Sequence, residues 1–509
     1  MKLVSVTQMR AIEQEADNRG LSYAQMMENA GLGLADIIID SLGDEGEQPV
    51  AGLVGPGNNG GDTLVALAAL AQIGWETCAY LVRPRPMDDP LLARFLSAGG
   101  TILSAEDDPD LDKLAEMLCG VSVVLDGVLG TGATLPLKPE IARVLARAGE
   151  LQNDFAVVAV DCPSGMDCDS GAVAPETLRA DITVCMAAPK QGMMRFPAFA
   201  YLGQLEVVSI GLADDLPAWA AVQDGVVGAE DVLAVLPQRK SDAHKGTFGA
   251  ALIVAGSMNY PGAVLLAGRA AYRVGAGLVQ LAVPGPLQNM LAGHIPEATW
   301  VLLPHEMGVI AQDGFEVLAK NIDRATALLV GPGLGLEDTT AGFIRQVAGG
   351  KSARHARGAM GFGIGAGSQP APVGEPQHTL PPMVLDADGL KLLARVPDWH
   401  KTIPAPAVLT PHPGEMAILT GMQVDEIQAD RMGVARRFAQ EWGHVVVLKG
   451  ALTVVASPQG LARVIPVAST ALAHAGTGDV LAGLITGLRA QGVPAFEAAC
   501  AGAWIHAQA

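Results

Sequence analysis

AGLVGPGNNGGDTLVALAALAQI, residues 51–73, runs an apolar strand, a glycine loop and a helical pattern together in one stretch. The apolar run 51–55 suits a strand buried on both faces. The loop GPGNNGGD (55–62) carries four glycines, so its backbone can close tightly around a group such as a pyrophosphate. From Thr63 to Ile73 the apolar spacing is helical. This succession is the repeating unit of a doubly wound α/β domain, where ligands bind beyond the carboxyl ends of the strands. Further runs with the same character follow: TCAYLV (77–82), VSVVLDGV (121–128), FAVVAVD (155–161) and ITVCM (182–186).

The pattern starts again in the second half, with AALIVAG, LVQLAVP, ALLVGPG, MVLDADG, AVLTPHPGE and VVVLKG. Between the halves lies LADDLPAWAAVQDGVVG, acidic and Pro-containing, which places a domain boundary at 211–228. A chain of 509 residues is too long for one ordinary core, so two domains are expected. Residues 349–382 are rich in Gly, Pro and basic side chains without periodicity. We read them as a flexible loop, a tolerated insertion rather than a lid. CAGAWIHAQA, at the end of the chain, stops in mid-helix by its pattern, which reads as a truncated C-terminus.

Acidic side chains outnumber basic ones by 53 to 33, giving a net charge of −20. That balance argues against a nucleic-acid or anionic-membrane partner, because both require a positive face. An anionic substrate must then be held by backbone amides and a few Lys or His. Six cysteines in so long a chain make no disulfide framework, and Cys162 and Cys168 have no second pair to complete a zinc site. No apolar segment follows the N-terminal Met, and SMNYPG breaks the uncharged run 249–268, so a soluble, cytoplasmic protein is expected.

AGTGDVLAG (475–483) joins a glycine turn to a helix start at Asp479. The free N–H groups of such a helix make an anion site. A carboxylate beside an anion site has a natural task there: taking a proton from a hydroxyl that attacks a phosphate. In the first half, DGVLGTG (126–132) and VDCPSG (160–165) each follow a strand. Asn59, Asp126 and Ser164 could give oxygens to one monovalent or divalent cation.

VSVTQMRAIE, MMENAG, GPGNNGGD, DGVLGTG, VDCPSGMD and RADITVCMAAPKQG together resemble the epimerase domain of the NAD(P)H-hydrate repair enzymes. HKGTFG, GSMNYPGA, RVGAGLV, GPGLG, LDADGL, LTPHPGE, VVLKGALT and AGTGDVLAG, in that order, resemble the ADP- or ATP-dependent NAD(P)H-hydrate dehydratases of the ribokinase-like fold. The resemblance implies a Rossmann-like doubly wound epimerase domain at 1–222 followed by a ribokinase-like α/β dehydratase domain at 223–509. It implies interconversion of the R and S hydrates of NADH and NADPH, and dehydration of the S form at the expense of ADP. It also implies K⁺ on Asn59, Asp126 and Ser164, and Mg²⁺ in the second domain. The epimerase substrate would lie on Asn58, Asn59, Gly60, Gly61 and Asp62, on Gly130, Thr131, Gly132, Ala133, Thr134, Leu135 and Pro136, and on Asp161, the acid/base residue. In the second domain Ala263, Gly333, His412 and the base Asp479 would line the hydrate site. Lys449, Gly450, Ala451, Leu452, Thr453 and Gly478 would bind nucleotide, and a homo-oligomer is expected.

Two departures stand out. Thr63 follows NNGGD where the family has glycine, and STALAHAG replaces the usual Asn-Gly element before the GTGD loop. The rival reading is a vitamin or sugar kinase of the same fold with a non-catalytic N-terminal binding domain. The motif TPHPGE and the carboxylates Asp126 and Asp161 speak against it.

Overall fold

A computed structural model describes residues 1–42, 49–86, 88–349 and 380–509. The loop read at 349–382 lies outside the described residues except for its ends. The chain forms two compact units, Met1–Gly225 and Val226–Ala509.

In the first unit seven strands build one parallel sheet: β1 (Val50–Val54), β2 (Thr77–Leu81), β3 (Thr101–Ser104), β4 (Val123–Gly127), β5 (Ala156–Val160), β6 (Ile182–Met186) and β7 (Gln204–Val208). Their order is β3–β2–β1–β4–β5–β6–β7, which is Rossmann-like and doubly wound. The chain leaves β1 toward one edge and returns to β4 on its other side, so the switch point lies between β1 and β4. Along β1, Val50 and Val54 join one apolar cluster while Ala51 and Leu53 join another. The sheet is therefore covered on both faces, as the unbroken apolar runs require. The runs missed in sequence, β3 and β7, are edge strands with mostly half-buried side chains.

The helix after β1 begins earlier than its apolar spacing suggests. It spans Asn58–Gln72, so most of the glycine loop is its first turn. A Cβ on Gly60 would stand 2.0 Å from the Gly55 carbonyl oxygen, and one on Gly61 would stand 2.6 Å from Met27 Sδ. These glycines seat the helix closely on its surroundings. Gly57, the N-cap, has no side chain to accept from the first N–H groups, which leaves them free for an anion. Thr63 fits without penalty: it is fully buried, and its Oγ1 donates to the Asn59 carbonyl at 2.7 Å.

The second unit holds a ten-stranded sheet. Its strands are β8 (Asp224–Val226), β9 (Ala250–Val254), β10 (Leu278–Pro284), β11 (Thr299–Leu303), β14 (Ala327–Val330), β15 (Met383–Leu385), β16 (Val408–Leu409), β17 (Val445–Leu448), β18 (Val454–Ala456) and β19 (Ala462–Val464). A separate hairpin is formed by β12 (His305–Glu306) and β13 (Val309–Ile310). The sheet order is β11–β10–β9–β14–β15–β16–β17–β18–β19–β8, antiparallel from β17 to β19 and parallel from β11 to β17. The architecture is the ribokinase-like α/β type. Its switch point lies between β9 and β14, and the Gly256 N–H donates across it to the Pro332 carbonyl at 2.8 Å. Small residues bring the helices Pro261–Arg273 and Thr477–Ala490 together. A Cβ on Gly483 would stand 2.3 Å from the Ala267 carbonyl oxygen. That packing fixes the start of the second helix, and with it Asp479, at the carboxyl end of the sheet.

Candidate active sites

Three loops of the first unit meet beyond β1, β4 and β5. The Asn59 amide donates to the carbonyls of Leu129 at 3.2 Å and Val160 at 2.5 Å. Ser164 N–H donates to Asp126 Oδ2 at 2.8 Å, and Leu129 N–H donates to Ser164 Oγ at 2.9 Å. Asn59, Asp126 and Ser164 thus stand together, as the sequence reading requires. Asp126 is fully buried, and its Oδ1 has no hydrogen-bond partner among the described residues. Burial raises its carboxyl pKa, with hydrogen bonds from Ser164 pulling the other way. An all-oxygen donor set with one orphaned carboxylate oxygen fits a hard cation of low charge.

Asp161 follows β5 with φ +63°, a left-handed conformation that non-glycine residues adopt at a cost. Its Oδ1 accepts from Met186 N–H at 2.9 Å and from Lys190 Nζ, an ion pair with almost no exposure. Burial works against the Lys190 charge, but Asp161, Cys185 and Cys168 together outweigh it and hold the ammonium pKa above its ordinary value. Nothing local in APKQG marks Lys190 as a site residue beyond its position after a strand. Arg85 was also missed. Its Nη1 donates to the Gly55 carbonyl at 2.8 Å and tethers the glycine loop from behind. In the second cradle, Gly130 packs against Asn59: a Cβ there would stand 2.3 Å from Asn59 Oδ1. Gly132, Thr134 and Pro136 are exposed, while Thr131, Ala133 and Leu135 are half-buried.

In the second unit the candidate residues gather past β14 to β17. Gly333 has φ +63°, and a Cβ there would stand 2.9 Å from Ala263 Cβ, so these two share one wall. Asp479 occupies the third position of the helix Thr477–Ala490, whose N-cap Gly476 supplies no side-chain acceptor. Burial, then Asp386, push the Asp479 carboxyl up to about 6, while Lys449 pulls it down.

Lys449, expected to bind nucleotide, is held between carboxylates. Its Nζ donates to Asp386 Oδ1 at 2.7 Å and lies 3.7 Å from Glu415 Oε2. Asp386 accepts a further bond from Thr410 Oγ1 at 2.7 Å. A Cβ on Gly478 would stand 3.5 Å from Lys449 Nζ, so the ammonium does reach the GTGD turn. Gly450 and Thr453 close the following turn on each other, Thr453 Oγ1 donating to the Gly450 carbonyl at 2.8 Å. Ala451 is exposed and Leu452 buried with φ +55°.

His412 caps the helix Pro413–Thr420, its Nδ1 accepting from Gly414 N–H at 3.0 Å and Glu415 N–H at 3.2 Å. Burial lowers its pKa, so a neutral ring points Nε2 toward Glu415 Oε1 at 3.3 Å. Asp386 in LDADGL and Glu415 in LTPHPGE are site carboxylates that sequence reasoning missed. Among the described residues no three His, Cys, Asp or Glu side chains converge as a metal site.

Two α/β units, each with an uncapped helix start and a carboxylate withdrawn from solvent beside it, have the architecture of an enzyme with two sites for anionic ligands. Family models match both halves: a YjeF-related N-terminal model over residues 23–192 and an NAD(P)H-hydrate dehydratase model over 251–509. The bifunctional NAD(P)H-hydrate repair enzyme of Moorella thermoacetica is 32% identical over 100% of this chain and 92% of its own. That of Escherichia coli is 31% identical over 98% and 87%. A Bacillus subtilis ADP/ATP-dependent NAD(P)H-hydrate dehydratase, co-crystallised with ATP/Mg²⁺, is 30% identical over 56% of this chain and 87% of that one, with a TM-score of 0.42. The chain belongs to the bifunctional NAD(P)H-hydrate repair enzymes, combining an isomerase with a lyase. Among the described residues, no helix is long and apolar enough to cross a membrane.

Proposed function

We propose that residues 1–222 epimerise the R and S hydrates of NADH and NADPH at C6, and that residues 223–509 dehydrate the S form using ADP. The observation that carries the second activity is Asp479, a carboxylate with raised proton affinity at a free helix N-terminus. Asp479 takes the proton of the C6 hydroxyl, whose oxygen attacks the terminal phosphate of ADP and displaces AMP. The N–H groups of Gly478 and Asp479 face the charge that develops on the phosphate. The C6 ester then leaves as phosphate, pushed by the ring nitrogen, and a ring proton is lost to restore the dihydropyridine. Lys449 keeps the charge of Asp386 and Glu415 from repelling the nucleotide, with Gly450, Ala451, Leu452 and Thr453 shaping its turn. Ala263, Gly333 and His412 line the hydrate side. Mg²⁺ would neutralise phosphate charge when bound.

In the first unit the free N–H groups at Asn58, Asn59 and Gly60 support a pyrophosphate, with Gly61 and Asp62 beside it and Gly130, Thr131, Gly132, Ala133, Thr134, Leu135 and Pro136 opposite. Asp161 is the acid/base residue. K⁺ on Asn59, Asp126 and Ser164 would tie three loops together. A cytoplasmic location and a homo-oligomer complete the proposal, the latter supported by the exposed apolar side chains of Met258, Tyr260 and Met307. Incubating the purified protein with S-hydrate and ADP tests the reading: AMP, phosphate and NADH should form in equal amounts. A lasting phosphorylated hydrate would favour the kinase reading instead.

A further inference from the structure

The first unit has a pocket of about 400 Å³, reached by Glu13, Asn58, Asp62 and Met186. Asp62 is only 7% exposed, and no hydrogen bond or ion pair satisfies its side chain among the described residues. Glu13 reaches the same space from the helix Val6–Asn18, again without an ion pair or hydrogen bond. Met186, whose N–H holds Asp161 Oδ1, forms part of the wall. Of these three carboxyl groups only Asp161 has a cation, Lys190, bound to it. The other acids on the rim are already paired: Glu28 with Arg94, and Asp89 with Arg85 at 2.7 Å. A buried acid with no partner is costly unless it carries a proton.

We propose that Asp62 is a second acid/base residue of the epimerisation, the proton donor that works opposite the Lys190-held carboxylate of Asp161. This rests on the reading of the first unit as the epimerase, and it makes Lys190 a positioning residue. Burial first, then the charges of Asp161 and Glu13, hold the Asp62 carboxyl well above its usual range, with Lys190 opposing. Burial and Asp161 also raise Glu13, opposed by Lys190 and Arg10. Tyr23, the remaining titratable group at the pocket, stays neutral. One carboxyl bound to a buried ammonium and one without a cation, in the same site, is an arrangement suited to a base and an acid.

The step balances. Asp62 gives its proton to the C6 oxygen as the C6–O bond breaks. The bond pair leaves with the oxygen as water, and the N1 lone pair becomes the N1=C6 bond. The resulting cationic ring lies among carboxylates, which stabilise it. Water then adds to the opposite face of C6, the π pair returns to N1, and the surplus proton passes to Asp161. Exchange with solvent takes the proton from Asp161 and returns one to Asp62, and the opposite direction exchanges the two roles.

The test is epimerisation of R-hydrate by the full-length protein without nucleotide, with the epimers separated chromatographically. Asp62→Asn should lower kcat by about 10²-fold or more while S-hydrate dehydration by the same molecule is unchanged. The wild-type rate should fall on the alkaline side as Asp62 loses its proton, over a range well above that of an ordinary carboxyl. Lys190→Met leaves the Asp161 carboxylate without its buried counter-charge and should lower kcat by about tenfold or more with little change in KM, and Lys190→Arg should restore it. Asp62→Asn within threefold of wild type, or a flat wild-type profile across that range, overturns the proposal. Should Asp62→Asn fail to fold, the wild-type profile and the Lys190 pair decide. A wild-type protein that does not epimerise at all defeats the functional reading instead.

Discussion

Replacing Asp479 by Asn should make the second unit more stable while abolishing its activity. The Asp479 carboxyl sits at about 6 against an ordinary 3.8. A tenfold change in proton affinity is about 1.4 kcal/mol, so the charged form costs about 3 kcal/mol at neutral pH. Asp479 is only partly buried, and solvent screening reduces this to about 1–2 kcal/mol. Asn also gives up the attraction of a carboxylate to the helix start, worth about 0.5 kcal/mol. The net expected gain is about 1 kcal/mol. The folded state binds this proton more tightly than the unfolded one, so wild-type stability falls as pH rises from 3.8 to about 6 and then levels off. The advantage of Asn should therefore be full at pH 8 and roughly halved at pH 5. Calorimetry of the full-length protein reads it: the transition that ADP raises should move up by about 2–4 °C at pH 8. A variant equally or less stable at pH 8, or one with the same gain at pH 5, would refute the reasoning.

Other expectations follow from the same geometry. Lys449→Met removes the cation that lowers the Asp479 pKa, so the acidic limb of the dehydration rate should move above pH 6, and the apparent nucleotide KM should rise more than kcat falls. Unchanged limb and KM would separate Lys449 from the site. Asp126→Ala removes the orphaned buried oxygen, and epimerase activity and first-unit melting should lose their response to K⁺; identical K⁺ titrations for variant and wild type would sink that site.

The glycine loops beyond the strands' carboxyl ends could be read from sequence because they follow apolar runs, and a parallel sheet demands such runs; the strand order that makes two of them switch points could not. Asp161, Asp126 and Asp479 were legible for the same reason: each ends a strand or begins a helix at a carboxyl edge. What stayed hidden was pairing. Nothing local in APKQG says that the Lys190 ammonium returns to a carboxylate 29 residues earlier. Glu13 precedes the glycine loop by a whole helix and more, and only the packing of Val6–Asn18 brings it to the pocket. Lys449 directly follows an apolar run, yet its partners are Asp386, just after β15, and Glu415, in the helix Pro413–Thr420, so its engagement with carboxylates is invisible locally. Helix Asn58–Gln72 was read as starting late because two glycines resemble a loop until the close packing they permit is seen.

The most direct test of the account follows absorbance of the reduced nicotinamide while a mixture of R- and S-hydrate is incubated with ADP, comparing wild type with Asp479→Ala. The wild type should convert both hydrates completely, with AMP and phosphate matching the NADH formed. Asp479→Ala should form none, yet still bring the two hydrates to equilibrium. NADH formed by Asp479→Ala at near the wild-type rate, or a hydrate mixture it cannot epimerise, would contradict the assignment of one activity to each unit.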